Sequence, residues 1–104
     1  MNEIEINGKK VLPRFDIGMV KLFNKTTGKN FLKLTEDEYE DVDVMAGLIY
    51  ATAHRGNKEV SMDDVDCLTF TDMMKLANDM KGSLKDFLPE STGEEVPLVE
   101  NRQN

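Results

Sequence analysis

The sequence predicts a small α+β domain, mainly helical: an N-terminal β-hairpin packed on three to four helices, followed by a disordered C-terminal tail. Three observations predict it. Asn7-Gly8 lies between two short segments of alternating character, and a two-residue hairpin turn needs positive φ at both central positions. Apolar residues recur at helical spacing through residues 42–53 and again through 70–87. Beyond Pro89 that pattern stops, and four acids stand against one base. At 104 residues the chain is expected to form one domain over 1–88, with an acidic tail over 89–104.

The hairpin is expected over residues 2–15. Ile4 and Ile6 share one face of the first strand, and Val11 and Phe15 share one face of the second. Pro13 has no N–H for a ladder, so the second strand is an edge or ends early. Asp16 is placed to cap a helix over 17–27, and Gly28 to stop it. Met19, Leu22 and Phe23 fall on one side of this helix. Lys21, Lys25 and Lys29 run down another at i,i+4 spacing.

Residues 42–53 are the most apolar stretch of the chain. Positions 42, 45, 46, 49 and 53 form a stripe, which Leu48 and Tyr50 widen to most of the circumference. Such a helix is buried, and it is expected to be the central post of the core. Thr35 and Glu38 have capping-box spacing, with Leu34 and Tyr39 as a hydrophobic staple. The helix is therefore expected over 36–55, with Asp41 and Asp43 exposed and Gly56 as a left-handed cap. Gly47 in mid-helix costs about 1 kcal/mol against Ala, which close approach of another element, the hairpin foremost, would explain.

A second box at Ser61 and Asp64, stapled by Val60 and Val65, starts a helix over 62–68. Thr69, with Thr71 as the alternative, caps a last helix over 70–88. Its stripe is Phe70, Met73, Met74, Ala77 and Met80, continued by Leu84 and Phe87, with a kink or break expected at Gly82-Ser83. In the tail, Pro97-Leu98-Val99 has the makings of a short docking element, although plain tail is the simpler reading.

The charge is uneven. Residues 1–34 carry seven Lys/Arg and three Asp/Glu; residues 35–104 carry six and seventeen. The acidic part opposes a nucleic-acid partner, because phosphate repels it. The single Cys67 allows no internal disulfide, which suits a reducing compartment. The first residues lack the basic and apolar regions of a signal peptide. No apolar run reaches the length of a membrane span. A cytoplasmic protein is expected.

Chemistry is scarce. His54 is the only histidine and stands near a helix C-terminus, where the dipole favours it. Cys67 follows Asp66, and acidic neighbours disfavour thiolate, so it is expected in the core. His and Cys do not cluster as a metal site requires, the acids of 36–43 do not follow the calcium-loop pattern, and no glycine-rich phosphate loop occurs. Neither enzyme activity nor a cofactor is expected. Residues 46–68 have the outline of a helix-turn-helix, but Asp63, Asp64 and Asp66 stand where base-reading residues would be needed.

The order of these features carries a resemblance. An Ile-Glu-Ile-Asn-Gly-Lys hairpin is followed by Phe15-Asp16-Ile17-Gly18 opening a short helix. An apolar helix ends in Leu-Ile-Tyr-Ala-Thr-Ala-His-Arg-Gly-Asn, and Val-Ser-Met-Asp-Asp-Val precedes a long helix and a polar tail. Over residues 3–88 this resembles the tail assembly chaperones of long-tailed, non-contractile phages and prophages of Gram-positive bacteria. The resemblance implies a protein that binds the tape-measure protein, keeps its apolar helices soluble and helps load the major tail protein around it. It implies action in the host cytoplasm, absence from the mature virion, a possible homo-oligomer, and a short form whose tail sits where a frameshifted extension would join. The alternatives are a small helix-turn-helix DNA-binding regulator of prophage origin and another morphogenesis factor such as a head–tail adaptor. A chaperone of this kind needs adaptable apolar surface, which Met side chains supply. The candidate partner-binding residues are Met45, Leu48 and Tyr50 on the central helix, and Met73, Met74, Met80 and Phe87 on the last.

Overall fold

The computed structural model describes residues 2–88; the tail expected over 89–104 lies outside the described residues. The chain is α+β and mainly α. Strands β1 (Ile4–Ile6) and β2 (Lys9–Val11) pair antiparallel, with Ile4 opposite Val11 and Ile6 opposite Lys9. Asn7 and Gly8 turn the hairpin at φ 51° and 81°, the two positive values a type I′ turn requires. The second strand ends at Val11, short of Pro13. Ile6 and Val11 face the core.

Helix α1 (Ile17–Thr27) opens where the Asp16 carboxylate accepts the Met19 N–H at 2.9 Å. It stops at Gly28, whose φ of 75° is left-handed. Helices α2 (Val42–Gly56), α3 (Met62–Asp66) and α4 (Phe70–Phe87) follow. Ser61 and Asp64 complete their reciprocal capping box, and Thr69 caps α4 by accepting the Asp72 N–H.

Helix α2 is the post around which the rest packs. Helices α1 and α4 both lie along it, and α3 adjoins it. The hairpin meets its C-terminal end, where the Arg14 N–H donates to the Thr52 carbonyl at 3.0 Å and Asn57 Nδ2 to the Lys10 carbonyl at 3.1 Å. Val44, Met45, Leu48, Ile49, Ala51 and Ala53 are buried along it, while Val42 is exposed at its start.

The post begins later than the sequence suggests. Glu38 does reach back, accepting the Thr35 N–H at 2.9 Å. The Glu38 N–H, however, donates to the Thr35 carbonyl rather than to its hydroxyl. The signal therefore closes a separate 3-10 turn, Asp37–Glu40. Asp41 then takes extended backbone and its carboxylate accepts the Asp43 N–H at 2.8 Å. An Asp two residues before an amide competes for it locally, and this one divides the helix expected over 36–55.

Two other local expectations are corrected. Gly56 is the last helical residue, with Asn57 as the cap in extended backbone. The glycine is needed there for space: an added Cβ would overlap the Leu12 carbonyl oxygen. Gly82-Ser83 does not break α4, which is one continuous helix from Phe70 to Phe87. A Cβ at Gly82 would meet open space, so no close approach requires the glycine.

Gly47 does have a close neighbour, but it is α1 and not the hairpin. An added Cβ would overlap the Thr27 γ-methyl, with the Phe23 ring at 3.6 Å. Thr27 cannot easily turn aside. Its hydroxyl donates to the Phe23 carbonyl at 2.9 Å and accepts the Lys29 N–H at 3.1 Å. Gly47→Ala should therefore destabilise by about 1–3 kcal/mol through overpacking, although Ala is the better helix former. Urea melts should show recovery when Thr27→Ser is added, because serine keeps the hydroxyl and drops the methyl. A stabilised single variant would refute the tight α1–α2 contact.

A candidate partner-binding surface on the last helix

Four of the seven candidate residues are not on the surface. Met45, Leu48, Met73 and Met80 are buried in the core. Met80 is wholly enclosed and lies 3.4 Å through its sulfur from the Thr52 hydroxyl. All four are unavailable to a partner in this fold. Tyr50 is half-buried and stacks on His54 with ring centroids 5.2 Å apart. Phe87 is half-buried near the end of α4. Met74 is 41% exposed.

The stripe of α4 is narrower than its sequence pattern. Its buried centre is Met73, Ala77, Met80 and Leu84. Phe70 and Met74, one helical turn apart, fall on one flank, and Phe70 is 60% exposed. Phe70 belongs to the apolar stripe of the sequence but lies outside its buried centre.

The opposite flank of α4 lines a groove of about 340 Å3. Half-buried Ile4, Leu68 and Leu76 provide its apolar surface, and Glu5, Asp72, Lys75 and Asp79 its polar surface. Three carboxylates thus face one ammonium. Neither the groove nor the role of β1 in it has a local sequence signature, since it joins residues about seventy positions apart.

Two carboxylates tie distant parts of the chain together. Asp64 accepts from Lys9 Nζ at 2.7 Å, from the Ser61 N–H at 2.9 Å and from Asn7 Nδ2 at 2.8 Å. It ties the hairpin turn to α3. These donors, Lys9 foremost, hold its carboxyl well below the usual range. Asp16 accepts from Arg55 Nε at 3.1 Å and Nη2 at 2.8 Å, and Arg14 stands 3.2 Å away. The Arg55 hydrogen bonds chiefly lower the Asp16 pKa to about 2.

Both groups titrate lower in the folded chain than in the unfolded one, where Asp sits near 3.9. Between those values the unfolded state binds more protons, so stability rises with pH. Their stabilisation should be complete above about pH 5 and drain away as pH falls through 4 toward 2. Asp64→Asn should flatten that acid slope and lower Tm at pH 7 by several degrees. Thermal melts from pH 2 to 7 would check it; an unchanged slope in Asp64→Asn/Asp16→Asn would sink the assignment.

His54 Nδ1 lies 2.9 Å from the Val60 carbonyl, which only a protonated nitrogen can satisfy. Cys67 is exposed rather than in the core, because α3 ends at Asp66 and turns it outward. Among the described residues no His, Cys, Asp and Glu side chains gather as a metal site, and no helix is long and apolar enough to cross a membrane. Lys21 and Lys25 are exposed, and Lys29 pairs with Glu38 at 3.3 Å. The second helix of the helix-turn-helix outline is only five residues long, with Asp63 and Asp66 exposed. No protein-family model, curated protein or solved structure matches this chain.

Proposed function

We propose that this chain is a phage tail assembly chaperone, which binds the tape-measure protein in the host cytoplasm and assists assembly of the tail tube around it. The resemblance in segment order supports the identity of the partner. The structural observation that carries the binding mode is the open flank of α4, where Phe70 and Met74 stand exposed one turn apart. Exposed apolar residues at i,i+4 spacing suit the apolar face of a helical segment. Met adapts to varied shapes at little cost, which a chaperone of many helical segments requires. The net charge of −7 would keep the complex in solution.

Co-expression with the tape-measure protein tests this. The native chain should bring it into the soluble fraction. The double substitution Phe70→Ser/Met74→Ser should return it to the pellet, with the folding stability of the chain changed by no more than about 0.5 kcal/mol. Failure of the native chain to solubilise the tape-measure protein counts against the whole proposal. Tight, sequence-selective binding in a gel shift at low salt would favour the DNA-binding alternative.

A further inference from the structure

The register of the hairpin leaves one side of β1 free. Ile6 and Lys9 close the two-residue turn, and in an antiparallel pair hydrogen-bonded and non-hydrogen-bonded positions alternate. Glu5 and Lys10 are then the non-bonded pair, with their main-chain groups pointing away from each other. Lys10 agrees, since its carbonyl is taken from outside by Asn57. The Glu5 N–H and C=O point the other way, and among the described residues no side chain or loop bonds them.

The groove lies on that side. It touches both Ile4 and Glu5, whose side chains point to opposite faces of the strand. It touches nothing of β2. A groove lined by two residues of β1 and by none of β2 lies beside the unpaired edge of β1 rather than across the ladder. Its other wall is α4.

We infer that the β1 edge and the α4 wall form a docking site for an extended segment of alternating basic and apolar residues from a partner protein. The Glu5 main chain would exchange hydrogen bonds with that segment, as in other cases of strand addition. Its apolar residues would meet Ile4, Leu68 and Leu76. Its basic residues would meet Glu5, Asp72 and Asp79. A second copy of this chain is the poorer occupant: antiparallel pairing of two β1 edges about Glu5 sets glutamate against glutamate, which is unfavourable. The acidic tail carries the wrong charge for the same rim. The inference rests on the protein-binding reading above and adds a second site to it, on the far flank of α4.

The test is an amide-detected NMR titration of the full chain with a synthetic Lys-Val-Lys-Val-Lys-Val peptide. Saturable shifts at Glu5 and at residues 72–79 are expected. N-methylation of alternate peptide amides, and separately Asp72→Lys/Asp79→Lys, should each weaken binding tenfold or more. Glu5→Pro, which removes the outward donor and leaves the ladder intact, should do the same. The site assignment is overturned if an oligolysine peptide or a helix-forming peptide of the same composition binds as well, if the shifts fall on Phe70 and Met74 instead, or if no peptide binds. In any of those cases solubilisation of the tape-measure protein would leave the chaperone proposal standing. Peptide binding at β1 without that solubilisation would uphold the site and remove the chaperone.

Discussion

Phe23→Ala is expected to lower the unfolding free energy by about 3–5 kcal/mol. Phe23 is fully buried and sits where three parts of the chain meet. It packs edge-on against Phe31 with centroids 5.5 Å apart, a geometry worth about 0.5–1.5 kcal/mol beyond the area it buries. Its ring also lies over Gly47 of α2, so no side chain there can move in to fill the hole. The loop after α1 depends on the same pair: the Phe31 N–H donates to Asn24 Oδ1 at 2.8 Å, which sets the Phe31 ring on the Phe23 ring. A domain this small has a total stability of about 5–15 kcal/mol, so the loss is a large share. Urea denaturation should show a lower midpoint with an unchanged slope. Amide exchange should quicken in α1 before α4. Leu32→Ala is the control, since Leu32 is 62% exposed, and it should stay within about 0.5 kcal/mol. Equal losses in both variants would contradict the packing of α1 on α2.

The parts of this fold that could be read from sequence are those decided within a few residues. Asn7-Gly8, the caps at Asp16, Ser61 and Thr69, and the stop at Gly28 each satisfy a local requirement of turn or helix end, and each stands where its neighbours require it. The start of α2 was obscured because two capping signals, at Thr35 and Asp41, lie six residues apart, and the first spends itself on a 3-10 turn. The meanings of Gly47 and Gly56 depend on Thr27 and Leu12, which no local pattern connects to them. Asp64 illustrates both cases. Its role in the capping box follows from spacing, whereas its bonds to Asn7 and Lys9 depend on the hairpin arriving from the far end of the chain. The candidate surface suffered most, because periodicity finds the apolar face of a helix but not how much of that face a neighbour covers.

That distinction separates two methionines of α4. Met80→Ala is expected to cost about 2–5 kcal/mol, and Met74→Ala almost nothing. Met80 is 0% exposed and fills the seam between α2 and α4. Its removal leaves the Thr52 hydroxyl satisfied, because that group can still donate to the Leu48 carbonyl at 2.9 Å. The penalty is therefore one of lost packing rather than of an orphaned polar group, and Met80→Leu, nearly equal in volume, should recover most of it. Met74 projects from the same helix toward solvent, so its truncation opens no cavity. The functional consequences run in the opposite order. Met80→Leu should leave solubilisation of the tape-measure protein intact, since it alters only the interior. Met74→Ala should weaken it while the thermal melt stays in place. If Met74→Ala is silent in both measurements, the exposed flank of α4 is not where the partner binds. If Met80→Ala melts like the native chain, α4 does not dock on the post through its methionines.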